Sequence, residues 1–172
     1  IDETPYKIHS AELGKVWVMD FSVGYSSDID VDAVRDNFQE AFAKAWMNEA
    51  EKDGFNRLIM ATGLNWRQVA MLRAYARYMW QIGFTFSQSY IEQTLSQYPD
   101  IAMGLTQLFE LRFSPEAEFT SRKYTTLKNK VAKSFEQVDN LDQDKIVNKY
   151  LEVIDATLRT NFYQKNAQGN DK

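Results

Sequence analysis

The apolar positions near the start of the chain follow the two-residue period of a strand. Residues 15–23, KVWVMDFSV, alternate between the two faces and are rich in β-branched and aromatic side chains. The segment PYKI, which precedes Gly14, can pair with this strand as a hairpin. Because two strands alone are only marginally stable, we expect the sheet to which they belong to continue outside this sequence.

After GYSSD the period becomes helical and stays so. Asp28 or Asp30 can cap a first helix, in which apolar side chains recur at intervals of three and four. Its predicted apolar positions are Val34, Phe38, Ala41 or Phe42, Ala45 and Trp46. The pattern further predicts helices over residues 55–61 and 66–82, from Ser87 or Ser89 to Tyr98, and from Pro99 to Phe113. Gly63 is suited to end the second helix, and Asn65 with Gln68 to cap the third.

The last third of the chain predicts two longer amphipathic helices. Ser114 and Pro115 have the pattern of a helix start, which predicts a helix to about residue 138, and Asp142 is the predicted cap of the final helix. The apolar seams are Leu127, Val131, Phe135 and Val138 in the first, and Ile146, Val147, Tyr150, Leu151, Ile154 and Leu158 in the second. We expect the two helices to form a long antiparallel helical hairpin.

The predicted fold is therefore mainly α: a helical bundle that ends in this hairpin and begins with a short β-hairpin piece. We divide it into a β piece (1–25), a helical domain (26–113), the helical hairpin (114–165) and a disordered tail (166–172). The first residue is not Met and the last nine, QKNAQGNDK, are polar, so we expect the sequence to be a piece of a longer polypeptide.

Composition narrows the classes of function. Of the 172 residues, 44% are hydrophobic and 14% aromatic, which is ample for a core, and the net charge of −4 argues against binding to nucleic acid. The fourteen uncharged residues between Arg77 and Glu92 are too few to cross a bilayer whose hydrocarbon core is about 30 Å thick. The absence of cysteine suits a reducing compartment. We therefore predict a cytoplasmic protein with no membrane partner.

The distribution of charge singles out a group of arginines. Between Gly54 and Ile91 there are four arginines and no acid, whereas the segment 28–53 is rich in acids. A guanidinium group against a packed surface needs an acceptor, so these arginines either pair with acids and carbonyl groups of the protein or hold an anion such as a carboxylate or a nucleotide phosphate. We predict the first arrangement and keep Arg67, Arg73 and Arg77 as candidates for anion or interdomain contact.

Other candidates for chemistry are weaker. DIDVD, residues 28–32, resembles the start of a calcium loop but has Ala33 and Gln39 where such a loop has glycine and glutamate. His9 is the only histidine, so a transition-metal site cannot be assembled from preferred ligands. The seven glycines are scattered, which excludes a glycine-rich phosphate loop. We predict no catalytic, cofactor or metal residue here, and assign the aromatic side chains at helical spacing to the core: Trp46, Trp66, Trp80, Phe109 and Phe113.

Three ordered blocks carry a resemblance to a known family. They are DGFNRLIMATGLNWRQVAMLRAYARYMWQIGFTFSQSYIEQTL (53–95), LFELRFSP (108–115) and ATLRTNFYQ (156–164). They resemble the large bacterial NAD-specific glutamate dehydrogenases, in which ACT-like regulatory domains precede helical segments and a catalytic domain. The β piece would then be the end of an ACT-like unit, and the helical part would link the regulatory and catalytic regions.

The resemblance also implies an activity for the whole protein. The family converts L-glutamate, NAD and water to 2-oxoglutarate, ammonia and NADH, in glutamate catabolism. The resemblance places the catalytic lysine and aspartate and the NAD fold beyond Lys172, so the fragment would have no cofactor and no activity of its own. It would serve as scaffold, as subunit contact in an oligomer, and as a relay of effector binding, with the other domains of its own chain as partners. The alternative from another class is a self-standing helical module that binds a partner protein. A complete small enzyme is opposed by the single histidine and the lack of cysteine.

Overall fold

The structure is a computed structural model that describes residues 2–22, 24 and 29–165. Contacts between residues divide the chain into two compact units, residues 1–30 and 31–172. The predicted tail, residues 166–172, and the proposed cap Asp28 lie outside the described residues.

The first unit contains the predicted hairpin. Strand β1 (Asp2–Ser10) pairs antiparallel with β2 (Gly14–Ser22). Gly14 has φ of 71°, a left-handed conformation that glycine adopts without a steric penalty. One face of the ribbon carries the pairs Tyr6 with Val18 and Ile8 with Val16, so apolar side chains face each other across the strands.

Helices α1 to α3 start and stop largely where the sequence predicts. α1 (Val31–Trp46) is followed by a short 3-10 turn (Gly54–Asn56) and by α2 (Arg57–Thr62). Gly63 ends α2 in the left-handed conformation with φ of 72°. α3 (Trp66–Gln81) begins with the predicted capping box between Asn65 and Gln68.

Helices α4 and α5 also lie where the sequence pattern predicts them. The Ser87 hydroxyl accepts from the backbone N–H of Tyr90 and caps α4 (Gln88–Gln97). Pro99 occupies the first turn of α5 (Pro99–Phe113), where its missing N–H costs nothing because that group has no partner within a helix.

The last part of the chain differs from the prediction. Ser114 ends α5 and Pro115 follows it, so the serine and proline form a stop and not a start; α6 (Ser121–Ser134) begins later, capped by Thr120. A 3-10 turn (Phe135–Gln137) follows, and Asn140 caps α7 (Leu141–Ala156) in place of the predicted Asp142. The main contacts of α6 are with α5, and those of α7 are with α3, α4 and α5, so a long hairpin of the two helices is not clearly seen.

The core lies within the helical unit. Apolar side chains from α1 to α7 share one buried cluster, to which α2, α3, α4, α5 and α7 each contribute side chains wholly removed from solvent. Leu158 lies beyond the end of α7 and is 86% exposed, so its predicted place on the buried face is wrong. The assignment of Trp46 and Trp80 to the core is also wrong, since they are 58% and 72% exposed.

Candidate functional site

The candidate site consists of the arginines on helix α3 and the groups around them. Arg73 and Arg77 are four residues apart, so they lie on one face of the helix, one turn from each other. Arg67 is in the first turn of the same helix.

Arg73 is buried and pairs with groups of the protein. Its Nε donates to Oδ2 of Asp53 at 2.6 Å, and its Nη2 donates to Oδ1 of Asp53 at 2.8 Å and to Oδ1 of Asn56 at 2.9 Å. The guanidinium group also lies 5.7 Å from the ring centroid of Phe55. Only 4% of the residue is exposed. This bidentate geometry is what makes arginine suitable for an internal ion pair.

The 3-10 turn places the partners of Arg73. The side chain of Asp53 accepts from the backbone N–H of Phe55 at 3.1 Å, which caps the turn and fixes the carboxylate beneath the guanidinium group. Asn56 donates through Nδ2 to the backbone carbonyl of Glu51 at 2.8 Å. The turn after α1 is therefore tied to α3 through two side chains.

Arg77 pairs with the same segment but near solvent. Its Nη1 donates to Oε1 of Glu51 at 2.7 Å, and its Nη2 contacts the other carboxylate oxygen. The side chains are 52% and 46% exposed. Arg77 lines a cleft of about 240 Å³ between α3 and α4, together with Ala76, Trp80, Phe86, Gln88 and Ile91.

Arg67 contacts a different part of the chain. Its Nη2 donates to the backbone carbonyl of Phe162, and its guanidinium group lies 4.7 Å from the Phe162 ring centroid. The surrounding cleft, of about 290 Å³, is lined by the carboxylates of Glu40 and Glu110, each of which accepts a hydrogen bond from a neighbouring side chain. Glu110 accepts from Nε2 of Gln68 at 2.6 Å, and Glu40 accepts from the Trp66 indole N–H at 3.0 Å.

The structure thus brings two of the three candidate arginines to one segment. Arg73 and Arg77 have their acceptors within residues 51–56, and Arg67 has its acceptor at Phe162. Contact of these arginines with an anion or another domain stays a prediction.

A second polar cluster, which the sequence analysis missed, surrounds Asp155 near the end of α7. Its carboxylate accepts from the Tyr124 hydroxyl at 3.2 Å and from Lys128 Nζ at 2.8 Å. Arg112 donates to the backbone carbonyl of Asp155 at 2.7 Å, and so satisfies one of the carbonyl groups that α7 leaves without a helical partner. We call these four residues the Asp155 cluster.

The electrostatics of the Asp155 cluster follow from its partners. The hydrogen bond from Lys128 lowers the pKa of Asp155 from its usual value, with the Tyr124 hydroxyl and the Arg112 charge acting in the same direction. Burial raises the pKa of Tyr124. The one sequence signal for this cluster was Arg112 in the last turn of α5, where a cation is common, and nothing in the sequence showed that it reaches α7.

The other candidates for chemistry occupy ordinary positions. Asp32, from the DIDVD stretch, pairs with Arg35 one turn on in α1, and His9 lies opposite Lys15 in the β-ribbon. Among residues 2–22, 24 and 29–165, no group of three or more His, Asp and Glu side chains is placed to hold a metal ion. Within the same residues, no helix combines the length and the apolarity needed to span a bilayer.

Two models of protein families match parts of the chain. Residues 50–115 match glutamate dehydrogenase, helical motif 3, which includes the 3-10 turn, α2 to α5 and all three candidate arginines. Residues 130–172 match the catalytic domain of bacterial NAD-glutamate dehydrogenase. This second match begins inside the segment that the sequence analysis assigned to a helical hairpin.

Three curated relatives extend the similarity to the whole chain. The chain is 40% identical over its full length to the NAD-specific glutamate dehydrogenase of Halomonas elongata and 38% identical to that of Pseudomonas aeruginosa. It is 34% identical, over 95% of its length, to that of Mycobacterium tuberculosis. The chain spans 11% of the length of each relative. It is accordingly recognised as a segment of the bacterial NAD-specific glutamate dehydrogenase family.

Proposed function

We propose that this chain is a structural segment of an NAD-specific glutamate dehydrogenase. The whole enzyme would oxidise L-glutamate with NAD and water to 2-oxoglutarate, ammonia and NADH, in the cytoplasm and as an oligomer. The observation that carries the proposal is the similarity of the entire chain, at 40% and 38% identity, to two relatives with that name. The segment itself would bind neither NAD nor glutamate.

The geometry of the arginines supports a structural role. Arg73 and Arg77 are the residues that could have clamped a substrate carboxylate, and both already hold carboxylates of the protein. Displacing Asp53 from Arg73 would require a buried charge to lose its partner, which is strongly unfavourable. Arg73 and Arg77 therefore hold the turn after α1 against α3.

A comparison of the chain with the full-length enzyme tests this assignment. We expect purified full-length protein to form NADH when glutamate and NAD are supplied, as measured by absorbance, and the 172-residue chain to form none. Calorimetric titration of the chain with glutamate, NAD and ATP should give only heats of dilution. NADH formation by the chain alone would overturn the proposal. A heat of binding above the heat of dilution with any of the three ligands would instead support an anion site on the chain.

We also propose that another part of the full-length chain covers the end of α3. Trp80 is 72% exposed and lines the cleft between α3 and α4 together with Ala76 and Phe86; we call this apolar wall of the cleft the Trp80 face. An exposed apolar surface of this kind marks an interaction site. The chain spans 11% of the length of its relatives, so the rest of the full-length protein is the partner that we propose.

Hydrogen exchange provides the test of this surface. We expect backbone amides of residues 78–84 to exchange more slowly in the full-length enzyme than in the chain alone, while amides at the exposed start of α6 stay unchanged. Equal exchange in both proteins would contradict the proposal. If exchange in the isolated chain became slower as its concentration rose, a second copy of the chain would be covering the Trp80 face. That result would also contradict the proposal.

A further inference from the structure

The two family regions share one core. The helical-motif match ends at residue 115 and the catalytic-domain match begins at residue 130, yet α7 of the second region is buried among α3, α4 and α5 of the first. The apolar side chains of α7 in this cluster are Ile146, Val147, Tyr150, Leu151, Val153 and Ile154. Tyr150 is completely buried and its hydroxyl donates to the backbone carbonyl of Leu72 in α3 at 3.0 Å. Residues of the two regions therefore complete each other's core.

The chain remains attached to the first region after α7 ends. The ring centroids of Phe162 and Tyr163 lie 5.3 and 6.2 Å from that of Phe109 in α5. Arg67 holds the Phe162 carbonyl, and the hydroxyl groups of Tyr75 and Thr157 are 2.9 Å apart. The segment that leads out of α7 is therefore bound to α3 and α5 by both apolar and polar contacts.

The Asp155 cluster adds a polar connection at the end of α7. Arg112 belongs to the helical-motif region and Asp155 to the catalytic-domain region, while Tyr124 and Lys128 of α6 lie between the two matches. Three helices, α5, α6 and α7, thus meet at one residue, Asp155. Removal of α7 would expose the apolar surface of α3 and α5 and leave Arg112 without its carbonyl acceptor.

We propose that residues 50–115 and 130–165 form one cooperative folding unit, in which α7 and the Phe162–Tyr163 segment anchor the catalytic-domain region to helical motif 3. The family boundary then crosses a hydrophobic core and is not a flexible joint. This inference does not depend on the activity of the whole enzyme.

Native-state hydrogen exchange of the chain tests the proposal through reciprocal substitutions. Ile154→Val removes one methyl group from α7, and Ile101→Val removes one from α5; both isoleucines are completely buried. In a single unit, each substitution should increase the exchange of protected amides in α3, α5 and α7 by the same factor, about two- to tenfold. The two changes are small enough to leave the chain folded.

The matched control is Leu158→Val, which also alters one side chain beside α7 but at a site that is 86% exposed. It should leave exchange in all three helices unchanged. If Ile154→Val accelerated only α7, and Ile101→Val only α5, the two regions would open independently and the proposal would be wrong. Protection of α7 far below that of α5 in the unsubstituted chain would contradict it as well.

Discussion

Arg73 and Arg77 lie one turn apart on the same helix and pair with acids two residues apart, yet their surroundings are opposite. The Arg73 and Asp53 side chains are 5% and 15% exposed, whereas those of Arg77 and Glu51 are 52% and 46% exposed. The difference arises because Phe55, Asn56 and Gln88 crowd the first pair, while the second opens on a cleft. The same kind of ion pair is therefore enclosed by the protein in one case and accessible to water in the other.

Arg73→Met should have the largest effect on stability. The change leaves the Asp53 carboxylate mostly buried without its cation and removes three hydrogen bonds, two to Asp53 and one to Asn56, so we expect a loss of about 3–5 kcal/mol in the free energy of unfolding. Urea unfolding of the chain measures it. Arg77→Met is the matched control, since it makes the same chemical change on the same helix face. Equal losses for the two variants would show that burial does not separate the pairs.

Asp53→Asn should have an intermediate effect. Asparagine keeps an oxygen to cap the 3-10 turn at Phe55 but removes the charge that Arg73 faces, so we expect a loss of about 1.5–3 kcal/mol. Glu51→Gln is its control at the exposed pair. Urea unfolding of the four single variants and of the two double variants, one for each pair, gives the two coupling energies, and a larger coupling for the exposed pair would contradict the comparison.

Local signals in the sequence predict much of the frame that holds these pairs. Asn65 with Gln68, Gly63 and Pro99 each fulfil a requirement of the backbone within a few residues, so their roles in α2, α3 and α5 are confirmed. Ser114 and Pro115 show the limit of such signals. Proline suits both the first turn of a helix and the position just after its end, and the sequence does not distinguish the two.

The candidate site was less predictable because burial depends on distant segments. The spacing of Arg73 and Arg77 places them on one face, but the 3-10 turn and Gln88 decide which of them is covered. The Asp155 cluster joins residues up to 43 positions apart, and the sequence gives no sign that Arg112 meets α7. The exposure of Trp80 was missed for a related reason: helical spacing shows that an aromatic side chain lies on a face, and not whether a neighbour covers that face.

Arg77→Met should cost less than about 1 kcal/mol, because both partners remain hydrated when the pair is broken. Salt sharpens the contrast with Arg73. Between about 0.1 M and 1 M NaCl, the coupling between Arg77 and Glu51 should fall toward zero, since ions screen exposed charges, while the coupling between Arg73 and Asp53 changes little. The measurement is the double-mutant cycle for each pair, repeated by urea unfolding at both salt concentrations. A salt-independent Arg77 coupling would place that pair in a drier environment than the structure gives it.

Asp155→Asn should have the smallest effect and the clearest dependence on pH. The side chain of Asp155 is 40% exposed, so we expect a loss below about 1 kcal/mol at neutral pH. Lys128 holds the pKa of Asp155 below its usual value of 3.8. As the pH falls, Asp155 therefore binds a proton at a higher pH in the unfolded chain than in the folded chain. The full contribution of the Asp155 carboxylate to stability is therefore present at pH values above the pKa of the unfolded state. This contribution is lost as the pH falls through the pKa of the folded state.

Urea unfolding from about pH 6 down to about pH 3 should show the stabilities of the Asp155→Asn variant and the unsubstituted chain converging at the acidic end. If the difference in the free energy of unfolding between the two proteins stayed constant over this range, the charge of Asp155 would not stabilise the contact between α6 and α7. The hydrogen bonds of Asp155 alone would then account for its effect.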